Sequence, residues 1–197
     1  MTLIKPSHQA AQPSHDALQL SAGACYTAIL DGLAGSDPTS GYRAVATASR
    51  HLAVARVLLC PAARTKLAPD RSLVTACLAE AQRAHWALRL FECHLAGEAR
   101  AVRLPFDSVR ASLEQHLARY RTAEQAMCAG LTRAMNEAER DRLARRYRAL
   151  LAVAPTRPHP RAPRTGLGSK VAFRVHGFID RLLDTLDSRP GTGLVPV

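Results

Sequence analysis

An all-α fold, an up-down-up-down four-helix bundle extended by a fifth basic helix and a C-terminal helix, is what this 197-residue chain predicts. Three observations predict it. Apolar residues recur at helical spacing along most of the chain, and β-type alternation is nowhere sustained. Four periodic segments of about 18–28 residues follow one another across short turns, the connectivity of an antiparallel bundle. A later helix stops abruptly in ALLAVAPTRPHPRAP, Ala149–Pro163, where Pro155, Pro158, Pro160 and Pro163 push their predecessors toward extended backbone. That stretch reads as a polyproline-like strap crossing the surface to a last helix.

Residues 1–15 read as a tail. The first helix is expected over Asp16–Ala34, with Leu20, Ala24, Tyr26, Ile29, Leu30 and Leu33 apolar, ending in the Gly35–Gly41 turn. The second runs from Tyr42 to Cys60 and should stop at Pro61, with Val45, Ala48, Leu52, Ala55 and Leu59 turned inward. Asp70 is placed to cap the third, which continues to Gly97 through Val74, Cys77, Ala81, His85, Leu88 and Phe91. After Pro105, Asp107 or Ser108 should cap the fourth, whose stripe is Val109, Leu113, Leu117, Tyr120, Met127 and Leu131.

Asn136 caps a basic fifth helix, Glu137–Ala152, which closes a bundle domain over 16–152. The strap occupies 153–169, and TGLGSK (Thr165–Lys170) reads as a flexible cap, not as a phosphate loop, because no strand leads into it. A final helix over 170–188 carries Val171, Val175, Phe178, Ile179, Leu182 and Leu186 on one side, the side expected to pack on the bundle; 189–197 is a second tail.

A hydrophobic content of 47% suits one compact domain with extensions. No run of about 18 apolar residues suggests a membrane span, and MTLIKPSHQAAQPSHD lacks the apolar core of a secretory signal. Cys25, Cys60, Cys77, Cys93 and Cys128 are odd in number, never in CxxC spacing, and set in apolar helical patterns. They read as small buried hydrophobes of a cytoplasmic protein. The net charge is +11, and of 27 basic residues only Lys5, Lys66 and Lys170 are lysines. Such a chain suits an acidic partner. Nucleic acid is disfavoured: aromatics are only 5%, and the arginines are spread through every helix without a groove-reading motif.

The strap PTRPHPRAP, with the terminal helix FIDRLLDTLDS, closely resembles the segment that follows the bundle in actinobacterial hemerythrin-like (HHE cation-binding) proteins. Upstream, ASRHLAVARVLLCPAAR is similar to the family's second helix, with His51 kept and Cys60-Pro61 standing where Tyr-Pro is usual. LAPDRSLVTACLAEA resembles the loop and third helix. The resemblance covers about Asp16–Ser188 and implies a bundle holding two irons on histidines and carboxylates. Yet the matched ligand positions fall on Gly23, Ala55, Ala81, Arg119 and Ala123, although Glu124 follows the last. A lone imidazole cannot hold a di-iron centre, so no metal and no cofactor are expected.

His85 lies four residues after Ala81, and His116 three before Arg119, so both are displaced from lost ligand positions toward one end of an antiparallel bundle. His51, His85 and His116, with Tyr120, are therefore the candidate proton-transfer residues; Arg119 and Arg56 are the candidate anion clamps. The resemblance implies a repurposed bundle acting as a subunit of a natural-product biosynthetic complex. An acidic partner or an acidic carrier protein would bring the substrate, with aziridine formation of the azinomycin type among the implied reactions. Two alternatives stand beside it: a mononuclear metal site on His51, His85 and His116, and a non-catalytic structural or regulatory binding module.

Overall fold

The structure, a computed structural model, describes residues 15–35, 37–68, 71–162 and 166–186, with side chains from residue 22 onward except at 166, 167, 169, 185 and 186. Among these residues it is all-helical: α1 (His15–Ala34), α2 (Pro38–Val54), a π-helical segment (Ala55–Leu59), α3 (Cys60–Lys66), α4 (Ser72–Leu95), α5 (Phe106–Arg133), α6 (Glu137–Val153) and α7 (Gly166–Leu186). None of these helices is long and apolar enough to cross a membrane.

The termini follow local chemistry, with corrections to the expected bounds. α2 starts at Pro38, four residues earlier than expected. Asp37 caps it by accepting the Ser40 N–H at 3.0 Å, and a proline at the first turn loses no hydrogen bond. Tight crossing of α1 on α2 explains Gly32, where a Cβ would stand 2.8 Å from Ser40 O and 2.9 Å from Ala44 Cβ. The Asp70 position lies outside the described residues, and α4 opens from Arg71 without a side-chain cap. Neither Asp107 nor Ser108 caps α5, because the helix begins at Phe106 directly from Pro105; Asp107 instead pairs with Arg110 one turn on, at 3.1 Å. At Asn136 the expectation holds, as a full capping box with Glu139.

The expected stop at Pro61 does not occur. α2, the π segment and α3 form one unbroken helical path, with the Cys60 N–H reaching back five residues to Ala55 O. A proline inside an α-helix lacks an N–H and crowds the carbonyl four residues back. One widened turn just before Pro61 accommodates both defects. Likewise TGLGSK does not form a loose cap: α7 already begins at Gly166.

The core lies where α4 meets α5, α1 meets α2, and α2 meets α4 and α6. Val45, Leu52, Leu59, Cys77, Leu88, Phe91, Leu113, Tyr120, Met127 and Leu131 are buried there, as the periodicity predicts. In α1, Tyr26, Ile29 and Leu33 point inward, but Ala24 and Leu30 face solvent.

α7 overturns the expectation for its apolar side. It buries Phe173, Gly177, Asp180 and Asp184 and exposes Val171, Val175, Phe178, Ile179, Leu182 and Leu183. The strap is the cause. Thr156 Oγ1 donates to Asp184 Oδ2 at 2.5 Å, and Arg157 Nε donates to Asp184 Oδ1 at 3.0 Å. The Arg157 N–H donates to Asp180 Oδ2 at 2.9 Å, and His159 Nε2 meets Asp180 Oδ1 at 3.0 Å. Gln82 of α4 holds the far end by donating to Pro160 O at 2.7 Å. The strap is thus an inner layer, with Ala154 and Thr156 each 1% exposed, and not a surface ribbon.

Candidate functional site

Two polar centres sit inside the fold. The first surrounds His51, which α2 carries into the core at 1% exposure. Its Nε2 meets Glu124 Oε2 of α5 at 2.9 Å, and its Nδ1 meets the Tyr147 hydroxyl of α6 at 2.5 Å. The Tyr120 hydroxyl donates to Glu124 Oε1 at 2.9 Å, so both carboxylate oxygens are engaged. Tyr26 of α1 packs its ring across the imidazole at 5.1 Å and 72°; Tyr120 and Tyr147 stand similarly at 5.8 and 6.1 Å. Four helices thereby converge on one imidazole.

The electrostatics of this centre are fixed by burial and by one carboxylate. Burial alone would pull the His51 pKa down, but the Glu124 charge, with hydrogen bonds to Cys25 and Glu124, outweighs it and holds the imidazole up at about 10. At neutral pH both ring nitrogens therefore carry protons and donate, to Glu124 and to Tyr147. Burial, then the Glu124 charge among other neighbours, raises the hydroxyls of Tyr26 and Tyr120; at Tyr147 burial comes first, with Cys25 and Glu124 behind it. All three stay neutral phenols. Such a centre holds a charge pair among neutral hydroxyls.

Nor do these residues fit a di-iron centre. Both nitrogens of His51 are occupied, and the matched positions Ala55 and Ala81 place small apolar side chains in the core. Among the described residues no group of three or more His, Cys, Asp or Glu side chains is placed to hold a metal ion. The convergence of His51, His85 and His116 expected from the helix register is therefore not formed. The five cysteines are free thiols. Those of Cys77 and Cys128 are shifted upward, Cys77 by the neighbouring Cys60 and by burial, Cys128 by burial and by Glu124. At neutral pH both are held in the thiol form.

The second centre lies between the π segment, α4, the strap and α7. His85 is 2% exposed, and neither of its ring nitrogens has a hydrogen-bond partner. Burial first, then the neighbouring Arg56 and His159, hold it well below the usual imidazole range, so it is neutral. Arg56, 7% exposed, lines the same cavity as His85. Across it the rings of His159 and His176 stack at 3.9 Å and 12°.

Of the six side chains expected at one site, the structure joins His51 with Tyr120 through Glu124, and His85 with Arg56 beneath the strap. Arg119 is exposed on α5, and His116 is half-buried with its Nδ1 unpartnered. Neither lines the cavity. Sequence reasoning missed Tyr147, Tyr26, Ser49 and His176. Tyr147 had one usable signal, a lone aromatic within the basic run LARRYRALL. Comparison with protein-family models, with curated proteins and with solved structures finds no match for this chain.

Proposed function

We propose that this chain is a metal-free, hemerythrin-like up-down bundle serving as a docking subunit of a biosynthetic protein complex, held to an acidic partner through α7. The observation that carries the reading is the inversion of that helix. Six large apolar side chains, Phe178 at 70% and Val171 at 61% exposure among them, form one stripe on the solvent side. A monomer gains nothing by displaying such a ridge, whereas a partner that covers it gains about 1.5–3 kcal/mol per well-buried side chain.

Charge selects the kind of partner. Both acids within α7, Asp180 and Asp184, are turned into the strap, and the exposed charges beside the ridge are Lys170 and Arg174. A second copy of the chain would set like charges against each other; an acidic rim on a different protein would complement them. The scaffold half of the reading rests on the strap sequence and on His51, which faces a carboxylate from α5 in the manner of a former ligand pair. A carrier-bound, aziridine-forming assembly of the azinomycin type is one complex of this kind.

Co-expression with the proteins encoded beside it tests the docking role. The isolated chain should run as a monomer in light scattering, form a stoichiometric heteromer with one such protein, and lose it on Phe178→Glu. A stable homodimer dissolved by the same substitution would transfer the ridge to self-association and overturn the reading.

A further inference from the structure

The cavity beneath the strap gathers several open polar groups on one lining. Three of its polar atoms, His85 Nδ1, His85 Nε2 and Ser49 Oγ, are buried without any hydrogen-bond partner. Ser49 is 1% exposed and His85 2%, so solvent does not satisfy them from outside. Leaving such groups unmatched is costly, and native interiors almost always avoid it. Around them stand Arg56 and Arg157 and the stacked pair His159 and His176, and among the described residues no carboxylate lines the cavity. Hydrogen-bonding groups left open beside two arginines, with no carboxylate in the lining and Asp184 and Asp180 engaged behind Arg157 and His159, together describe a receptor for negative oxygen.

The inner cavity is small, about 30 Å³, and admits a head group only. It borders a wider groove of about 660 Å³ that shares Arg157, His159 and His176 with it and adds Trp86, Arg89 and Arg161. Pro158 and Pro160 give that groove apolar walls beside the Trp86 ring. We propose that this site binds a small organic oxyanion, its phosphate or carboxylate head on Arg56, Ser49 and His85 and its body lying along the groove against Trp86. The strap forms one wall, so its aspartate clamps on α7 also shape the site. This stands apart from the α7 ridge, which occupies the opposite side of that helix.

Trp86 is the chain's single tryptophan, so its fluorescence reports on the groove directly. Titrations at constant ionic strength would compare inorganic phosphate, acetate, phenyl phosphate and chloride. Saturable binding of phosphate or acetate, absent with chloride, is the expected result. Phenyl phosphate should bind more tightly than inorganic phosphate and quench Trp86. Ser49→Ala should weaken binding roughly fivefold, one neutral hydrogen bond's share.

His85→Leu supplies the decisive pair of readings. It should weaken binding by roughly tenfold or more while the melting temperature holds or rises, because it removes two unmatched polar atoms from the interior. Binding untouched in His85→Leu, or no saturable binding of any oxyanion to the wild type, would overturn the proposal. So would a phenyl phosphate affinity equal to that of phosphate, for the groove.

Discussion

His51 Nε2 and Glu124 Oε2 lie 2.9 Å apart, on side chains 73 residues apart in sequence, each no more than 3% exposed. Tyr147 and Tyr120 cap the two ends of this pair, so a cation and an anion share the core with every strong partner already assigned. Burying two charges is expensive, and their attraction repays it only when the geometry is complete. The pair is therefore a device of fit, which ties α2 to α5 and α6.

Removing one member should be worse than removing both. Glu124→Ala leaves the imidazole without its counter-charge and should cost about 3–5 kcal/mol in urea unfolding. The double variant His51→Leu/Glu124→Met should recover most of that loss, since similar apolar volume replaces the pair without stranding a charge. Equal losses in the single and double variants would show that packing, and not pairing, dominates there.

Stability should fall away on both sides of neutrality for different histidines. His51 is raised to about 10, so its contribution is complete below its unfolded value near 6.5 and declines as pH rises toward 10. His85 is depressed, so folding favours its neutral form; its contribution is present above pH 6.5 and is lost on acidification, as the unfolded chain takes up the proton. Unfolding followed from pH 5 to 10 should show both limbs. His85→Leu should flatten the acid limb and spare the alkaline one.

Gly177→Ala should loosen the strap. A Cβ at this position would stand 2.5 Å from Val153 O, a backbone atom at the end of α6 that cannot turn aside. Shifting α7 outward would break the contacts of Asp180 and Asp184 together, at about 1–3 kcal/mol. Limited proteolysis should then cut within residues 154–162, where the wild type resists. Resistance equal to wild type would mean that the helix slides without releasing the strap.

Phe178→Glu should leave the isolated chain as stable as wild type within about 0.5 kcal/mol, because a side chain 70% exposed adds little to folding. It should also lower binding of a hydrophobic dye. A large loss of stability would place Phe178 in the fold itself and remove the ridge as a docking surface.

Much of the fold was legible in the sequence. The stripes of α2, α4 and α5 predicted their buried residues, because a helix that meets neighbours along one face must make that face apolar. Asn136 announced the start of α6 because capping is a local reaction. Where neighbours decide, the reading failed. Pro61 forbids a regular α-turn but permits a π turn when flanking helical segments are both anchored in the core, and no sequence pattern tells these apart. His51 was legible as a core imidazole; its partner Tyr147 comes from a helix 96 residues away, and no spacing records that meeting.

By itself, the sequence determined the helices, the Asn136 cap, the basic surface and the extended strap, all consequences of local backbone preference and of hydrophobic period. Tertiary structure decided which side of α7 faces inward, that the strap lies beneath it, and that His51 and His85 serve separate centres. The physical reason is competition. The apolar stripe of α7 predicts burial, but Asp180 and Asp184 find four hydrogen-bond donors on the strap, and such directional partners exist only once the chain has folded.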